Sequence, residues 1–286
     1  MVKIAIVTDT DSSLPPELAA CYDIRQVPIN IHFGQEEFQS GVNLSDAELF
    51  ARIDAEKKLP TTSAPTPGQF HAAYQAAFDA GAESILCFCV SSEISATYKV
   101  AITAREMFPD RDIEVVDSRT LSMAQGFMVV AAVEAIRAGA TKETALAEAL
   151  AVRSRSHLYA ALATLKYLAM SGRVGYLAAD MAGLLNIRPI LTVKEGKLEM
   201  LEKVRTRKKA WQRVIELTAR ALDDKPAARL AIIHANAPED AQEFLALLRA
   251  QVACPEPAVV AEFTAGLSIH AGAGLVGVAF YTEKGE

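Results

Sequence analysis

The chain is short of the residue types that carry most enzyme chemistry. Its 286 residues include four cysteines, five histidines and one tryptophan. Cys21, Cys87, Cys89 and Cys254 form no C-x-x-C pair and no cysteine–histidine spacing suited to a metal site. Cys87 and Cys89 sit in the run 84–90, which reads as a buried strand where thiols act as small core residues. No G-x-S-x-G elbow is present, so a serine hydrolase of that design is disfavoured. No apolar run approaches the ~18–20 residues needed to cross a bilayer. The first residues pass directly into the strand-like segment 3–8, without a basic stretch followed by an apolar one, so the expected location is cytoplasmic. A net charge of −6 gives no general attraction for nucleic acid or anionic membranes. The one basic run, Lys203, Arg205, Arg207, Lys208 and Lys209, fits a solvated strand end and first helical turn, or a face for an acidic or phosphate-bearing partner.

What remains is a globular composition, 51% hydrophobic and 22% charged, with length enough for two cores. The first half alternates strand-like runs (3–8, 84–90, 113–116) with helical patterns (15–22, 45–55, 67–80, 95–108, 122–138). Thr66 with Pro67 and Gln69, and Ser45 with Glu48, supply helix starts, while Gly81 and Gly139 supply stops. Such alternation predicts a parallel, helix-covered sheet. Past a helix at 141–157 the pattern changes. A hairpin is expected at 189–201 around Lys194-Glu195-Gly196, a helix at 207–222, a strand at 229–234, a helix at 238–250, and strands at 259–263 and 275–281. The expected fold is α/β in two domains: a parallel helix-covered sheet over 1–155 and an α+β domain over 156–286.

Three motifs invite a ligand. Residues 60–70 hold four hydroxyl side chains and three prolines, with no acid, base or thiol. Proline restricts φ and the preceding residue, so this segment reads as a stiff hydroxyl loop that can cradle an anion without transforming it. A linker of the same composition would look alike. Ser91-Ser92-Glu93-Ile94-Ser95 follows an apolar strand, where helix N-termini favour anions; an N-cap role for Ser92 or Ser95 is compatible with that. His270 stands between an apolar run and Gly272/Gly274, able to donate a hydrogen bond to a carboxylate or phosphate, or to serve as a satisfied core histidine.

The competing enzyme reading starts from Asp9-Thr10-Asp11 after the first strand, which resembles the nucleophile motif of magnesium-dependent haloacid-dehalogenase-type phosphatases. Ser91, Lys99 and Asp117 would fill the remaining roles. That chemistry wants paired acids beside the nucleophile to hold the metal, and Asp117-Ser118-Arg119 offers one acid followed by a cation.

Taken together, Thr62-Ser63-Ala64-Pro65-Thr66-Pro67-Gly68, the segment 91–98, Gly172-Arg173-Val174-Gly175, residues 185–191 and His270-Ala271-Gly272-Ala273-Gly274 resemble the DegV family over essentially the whole chain. The opening segment 6–15 and Lys203-Val204-Arg205 fit as well. The resemblance implies a two-domain lipid-binding protein, not itself an enzyme, with no cofactor or metal. It would hold a long-chain fatty acid such as palmitate in a tunnel between the two domains and present the carboxylate to a fatty acid kinase. It further implies that Thr62 or Ser63, Ser92 and His270 bind the carboxylate with help from main-chain N–H groups at Ser95 and Ala96. Arg173 would stand at the entrance or serve the kinase step. Ala96, Ser171, Ser268 and Ala273 depart from the family's usual glycines and proline, which bears on ligand size and loop shape. Expected wall material comes from Ile31, Phe33, the 85–90 strand, 161–168, 181–190 and Leu267.

Overall fold

The structure, a computed structural model, describes residues 3–173, 187–256 and 258–283. Strands β1 (Ile4–Asp9), β2 (Ile24–Val27), β6 (Ser84–Cys89) and β7 (Asp112–Asp117) form a parallel sheet in the order β2-β1-β6-β7. Every residue of β6 is buried, and both of its cysteines are free thiols in the core. A central parallel strand is apolar on both faces because helices cover both. Here α3 (Pro67–Asp79) and α4 (Thr97–Arg105) pack on one face, and α5 (Ser122–Arg137) on the other. Two helices start as expected. Thr66 accepts from the Gln69 N–H and the Gln69 side chain answers the Thr66 N–H; Ser45 and Glu48 do the same for α2 (Asp46–Glu56). Each such box stabilises its helix by about 1 kcal/mol.

A second sheet is mixed. It runs β10-β9-β8-β13-β11-β12, antiparallel except for the β11–β12 pair. Its strands are β8 (Ser156–Ala161), β9 (Arg188–Lys194), β10 (Lys197–Val204), β11 (Ala227–Ala235), β12 (Val259–Glu262) and β13 (Leu275–Thr282). Helices α8 (Arg207–Leu222) and α9 (Pro238–Arg249) cover one face, burying Trp211 against Phe244 in a T-shaped contact at 5.8 Å. The opposite face shares one apolar cluster with α5 and α6 (Lys142–Arg155).

Three features depart from the sequence expectations. The helix expected over 141–157 ends at Arg155, and β8 begins at once, because Ser156 already has an extended backbone. No glycine or proline separates the two, so nothing in composition marks the change. The segment 60–70 is not a loop throughout. Thr61–Ser63 form β5, which pairs with β3 (Asn30–Phe33), itself paired with β4 (Glu36–Gln39) in a small antiparallel sheet. The β-branched threonines favour the extended state, and Pro60 and Pro65 confine it to three residues. Finally, His270 lies in the last turn of a short helix, α10 (Ala265–Ala271), whose run of small residues carries no helical period. Gly272 closes that helix with φ at 77°, and a Cβ there would stand 2.3 Å from the Tyr167 ring of α7 (Lys166–Met170). Only glycine fits.

Candidate functional site

Alternation along β5 separates the two hydroxyls that sequence left tied. Thr62 turns toward α10, and its Oγ1 lies 3.0 Å from His270 Nε2. Ser63 turns away, is exposed, and meets His32 Nε2 at 2.9 Å. Arg173 completes the group: Nη2 donates to Thr62 Oγ1 at 3.4 Å, and Nη1 donates to the Ser171 carbonyl at 2.7 Å. Thr62, His270 and Arg173 therefore converge from β5, α10 and the turn after α7.

Beside them runs a narrow cavity of about 60 Å³. Its walls include Ile94, Leu121, Leu158, Leu168, Leu191 and Leu267, and its only polar side chains among the described residues are His270 and Arg173. It lies between the parallel sheet's loops and the mixed sheet. Leu168 and Leu267 were expected as wall material. Ile31 and Phe33 instead fill a separate cluster under α2, and the 85–90 strand serves the core. Leu121, Leu158 and Phe263 line the cavity without any motif to announce them; the alternation Leu158/Ala160 on β8 is the one readable signal. Of the expected wall segment 181–190, residues 181–186 lie outside the described residues, as do Val174 and Gly175 of the glycine–arginine motif.

The charge state of the polar end is set by burial. Desolvation, aided by the Arg173 cation, pushes the His270 pKa down to about 3, so the imidazole is neutral at physiological pH rather than imidazolium. Its Nδ1 is buried with no hydrogen-bond partner among the described residues. A buried polar atom left unpaired costs about 1–3 kcal/mol, so this nitrogen is primed for a ligand atom. At a pKa of about 3 it is also a poor general base at neutral pH.

The serine segment is organised differently from expectation. Ser92 Oγ donates to Asp117 Oδ2 at 2.5 Å and its N–H to Oδ1 at 3.2 Å, so Asp117 claims it. Ser95 Oγ accepts from the Thr97 N–H at 3.3 Å, while the Ser95 N–H is used by the Ser91 carbonyl at 3.0 Å. Ala96 is the residue before α4 and gives it no side-chain cap. The serine hydroxyls of this loop are thus taken by partners in the protein, Ser92 by Asp117 of β7 and Ser95 by Thr97, and Ile94 is the loop's contribution to the cavity wall. Ser91 bridges to the other sheet: its Oγ donates to the Gly196 carbonyl at 2.7 Å.

Asp9 and Asp11 do not form a catalytic pair. Asp9 is fully buried, and its carboxylate accepts from the Val90 N–H (2.7 Å), the Asp11 N–H (3.0 Å) and Gln125 Nε2 (3.2 Å). Burial pushes its pKa up to about 7 against those donors. Desolvation also raises Asp11 well above the usual carboxylate range, reinforced by Asp9 and opposed by Arg173. A nucleophilic aspartate needs a free oxygen facing substrate, and Asp9 has none. Nor do the described residues contain any group of three or more metal-ligating side chains. The phosphatase reading is not supported. Among the described residues no helix is long and apolar enough to cross a membrane.

Comparison with known proteins agrees with this architecture. The chain is 33% identical over 284 residues to a DegV domain-containing protein of Halalkalibacterium halodurans, covering 99% of this chain and 100% of the relative. Among solved structures, a fatty-acid-binding DegV family protein from Thermus thermophilus superposes with a TM-score of 0.91 at 30% identity, covering 99% of this chain and 100% of the other. DegV from Bacillus subtilis, described as a fatty acid binding protein, matches with a TM-score of 0.88 at 28% identity, again over 99% and 100%. The family model described as "Uncharacterised protein, DegV family" matches residues 3–283. The chain belongs to the DegV family.

Proposed function

We propose that this protein binds a long-chain fatty acid, with the carboxylate at Thr62, His270 and Arg173 and the acyl chain along the leucine-lined cavity. The observation that carries the reading is the cavity's polarity: its two polar side chains stand together at one end, beside a threonine hydroxyl, and the rest is hydrocarbon. Each methylene moved from water into such a wall contributes roughly 0.8 kcal/mol, so the chain supplies most of the affinity and the polar end sets orientation. Arg173 supplies the opposite charge, the neutral imidazole donates its Nδ1–H to the carboxylate, and the Thr62 hydroxyl, donating to Nε2, holds the ring in that tautomer. A cavity of about 60 Å³ is smaller than a palmitoyl chain, so entry requires the leucine side chains to swing aside. The two solved structures compared above, both described as fatty-acid-binding DegV proteins, support the same reading.

The cavity lies where the proposed units 1–155 and 156–286 meet, and the protein then works as a carrier. A neutral, low-pKa imidazole and a threonine hydroxyl hold a carboxylate without reacting it, so a separate fatty acid kinase would phosphorylate the presented acid. Palmitate should raise the melting temperature of the purified chain, and one fatty acid should be recovered by mass spectrometry after denaturation. Thr62→Val and His270→Ala should each weaken palmitate binding by about tenfold. Consistently empty protein that palmitate fails to stabilise would sink the lipid reading. The kinase step is tested at saturating lipid: Arg173→Ala, which removes the positive charge beside the carboxylate, should weaken palmitate binding and, once excess palmitate restores full loading, still abolish acyl phosphate formation with the kinase; full activity of that loaded variant would remove Arg173 from the step.

A further inference from the structure

We infer that a basic cleft on the far side of β8 from the acyl cavity binds an organic phosphate of about nucleotide size. The cleft is the larger opening, about 790 Å³, within the range of small-molecule sites. Arg119 and Arg153 reach it from the parallel-sheet half of the chain, Lys194 from the end of β9, and Arg220 from the last turn of α8. The sole carboxylate among its described lining residues is Glu195, which pairs with Arg119 at 3.1 Å. The cleft is therefore strongly positive in a chain whose net charge is −6.

Three of these four cations have no carboxylate partner among the described residues, while Arg119 is held by the Glu195 carboxylate and donates to the Glu195 carbonyl at 2.8 Å. Lys194 and Arg220 form no ion pair with any described residue, and the Arg220 cation opposes the rise that burial gives the Tyr159 phenol. Arg153 spends one nitrogen on the Asp117 carbonyl, at 3.2 Å. Arg119 is held in an uncommon left-handed backbone conformation, φ 52°, with its N–H donating to Asp117 Oδ1 at 2.9 Å. Left-handed backbone at a non-glycine residue costs of order 1 kcal/mol or more, and such strain gathers at functional positions. The loop that carries it follows the carboxyl end of β7, where open parallel sheets place their ligands.

The chemistry favours phosphate. Four separate cations exceed what one carboxylate can pair, whereas a group with several anionic oxygens can engage guanidinium forks from different directions. Val193, Leu201 and Leu217 add an apolar wall next to them, which calls for an organic body and not a bare inorganic ion. Thr120, Thr192 and the Tyr159 hydroxyl supply further hydrogen-bonding groups. The cleft stands whether or not the acyl cavity holds a lipid, since the two share strands but no side chains except through neighbouring positions.

Titration calorimetry of the whole chain with magnesium-free ADP tests the assignment. ADP should bind at submillimolar concentration and weaken steadily as potassium chloride is raised. Arg220→Gln and Lys194→Gln, both at exposed positions, should each lower the affinity about tenfold while leaving the urea midpoint in place. Citrate, with comparable charge and no phosphate, should bind far more weakly. Absence of ADP binding at millimolar concentration, ADP binding indifferent to both variants, or citrate binding as tightly as ADP would each overturn the proposal.

Discussion

The two faces of β8 make a useful contrast. Leu158 and Ala160 point into the leucine-lined cavity, are 5% and 3% exposed, and meet only hydrocarbon among their described cavity neighbours apart from His270 and Arg173. His157 and Tyr159, one residue out of phase, face the basic cleft; His157 stacks on Phe280 at 5.0 Å. One six-residue strand therefore lines an apolar cavity on one side and, on the other, carries half-buried His157 and Tyr159 to the edge of the cation-lined cleft. The period of two makes this possible, and a slip of one register would exchange the faces. Leu121 and Thr120, and Leu191 and Thr192, repeat the division on neighbouring segments. Neither site is a loop inserted into a scaffold. Each is a side of the scaffold.

The strongest way to break the contrast is to move β8 itself. Gly277 on β13 pairs with Ala160, and a Cβ there would stand 2.4 Å from the Tyr159 carbonyl oxygen and 2.8 Å from the Ala160 Cα. Both are backbone atoms and cannot rotate away. Gly277→Ala should therefore destabilise the fold by about 3 kcal/mol, at the upper end for overpacking, and should damage palmitate and ADP binding together. Urea denaturation with both ligands measures it. Loss of one ligand alone would mean that β8 does not couple the two walls.

The next test cuts the two faces apart. Leu158→Ala opens a void in the apolar wall and should cost about 2–5 kcal/mol of stability, with palmitate binding reduced. Arg220→Gln, at an exposed position on the cleft side, should change stability by no more than about 0.5 kcal/mol. Equal stability costs from the two variants would contradict the division into a cavity-facing and a cleft-facing side.

The sequence made some of this legible and hid the rest for identifiable reasons. Strong local signals survived folding: the capping boxes at Ser45 and Thr66, the hairpin around Gly196 and the helix Arg207–Leu222 appear where motif and period place them. Thr62 and His270 could be named from motifs, but their meeting at 3.0 Å joins positions 208 residues apart, which no local pattern encodes. The choice between Thr62 and Ser63 needed the pairing of Thr62 with Ile31, since hydroxyl chemistry alone treats them as equals. Ser92 reads as an anion donor in isolation and is taken by Asp117, a partner supplied by the adjacent strand. The basic cleft gathers cations from four separate segments, none of which forms a charge run.

The smallest effect tests the polar end through pH. With its folded pKa near 3 and an unfolded value of 6.5, His270 is a group whose pKa folding depresses. The unfolded chain then binds more protons between those values, so the contribution of His270 to stability is fully present above pH 6.5 and is lost on acidification toward pH 3. Between pH 6.5 and 5.5 the loss is about 1 kcal/mol. Asp9 and Asp46, both raised to about 7 by burial, act in the opposite sense: their stabilisation is present at low pH and fades as pH rises toward 7. The difference between wild type and His270→Gln cancels those two and isolates the imidazole. A bound palmitate carboxylate would favour the protonated ring and lift its pKa, so the lipid-loaded wild type should lose less stability over the same interval than the lipid-free protein. Proton NMR of the His270 ring with and without palmitate gives the same answer directly, and an unchanged titration on loading would place the carboxylate away from His270.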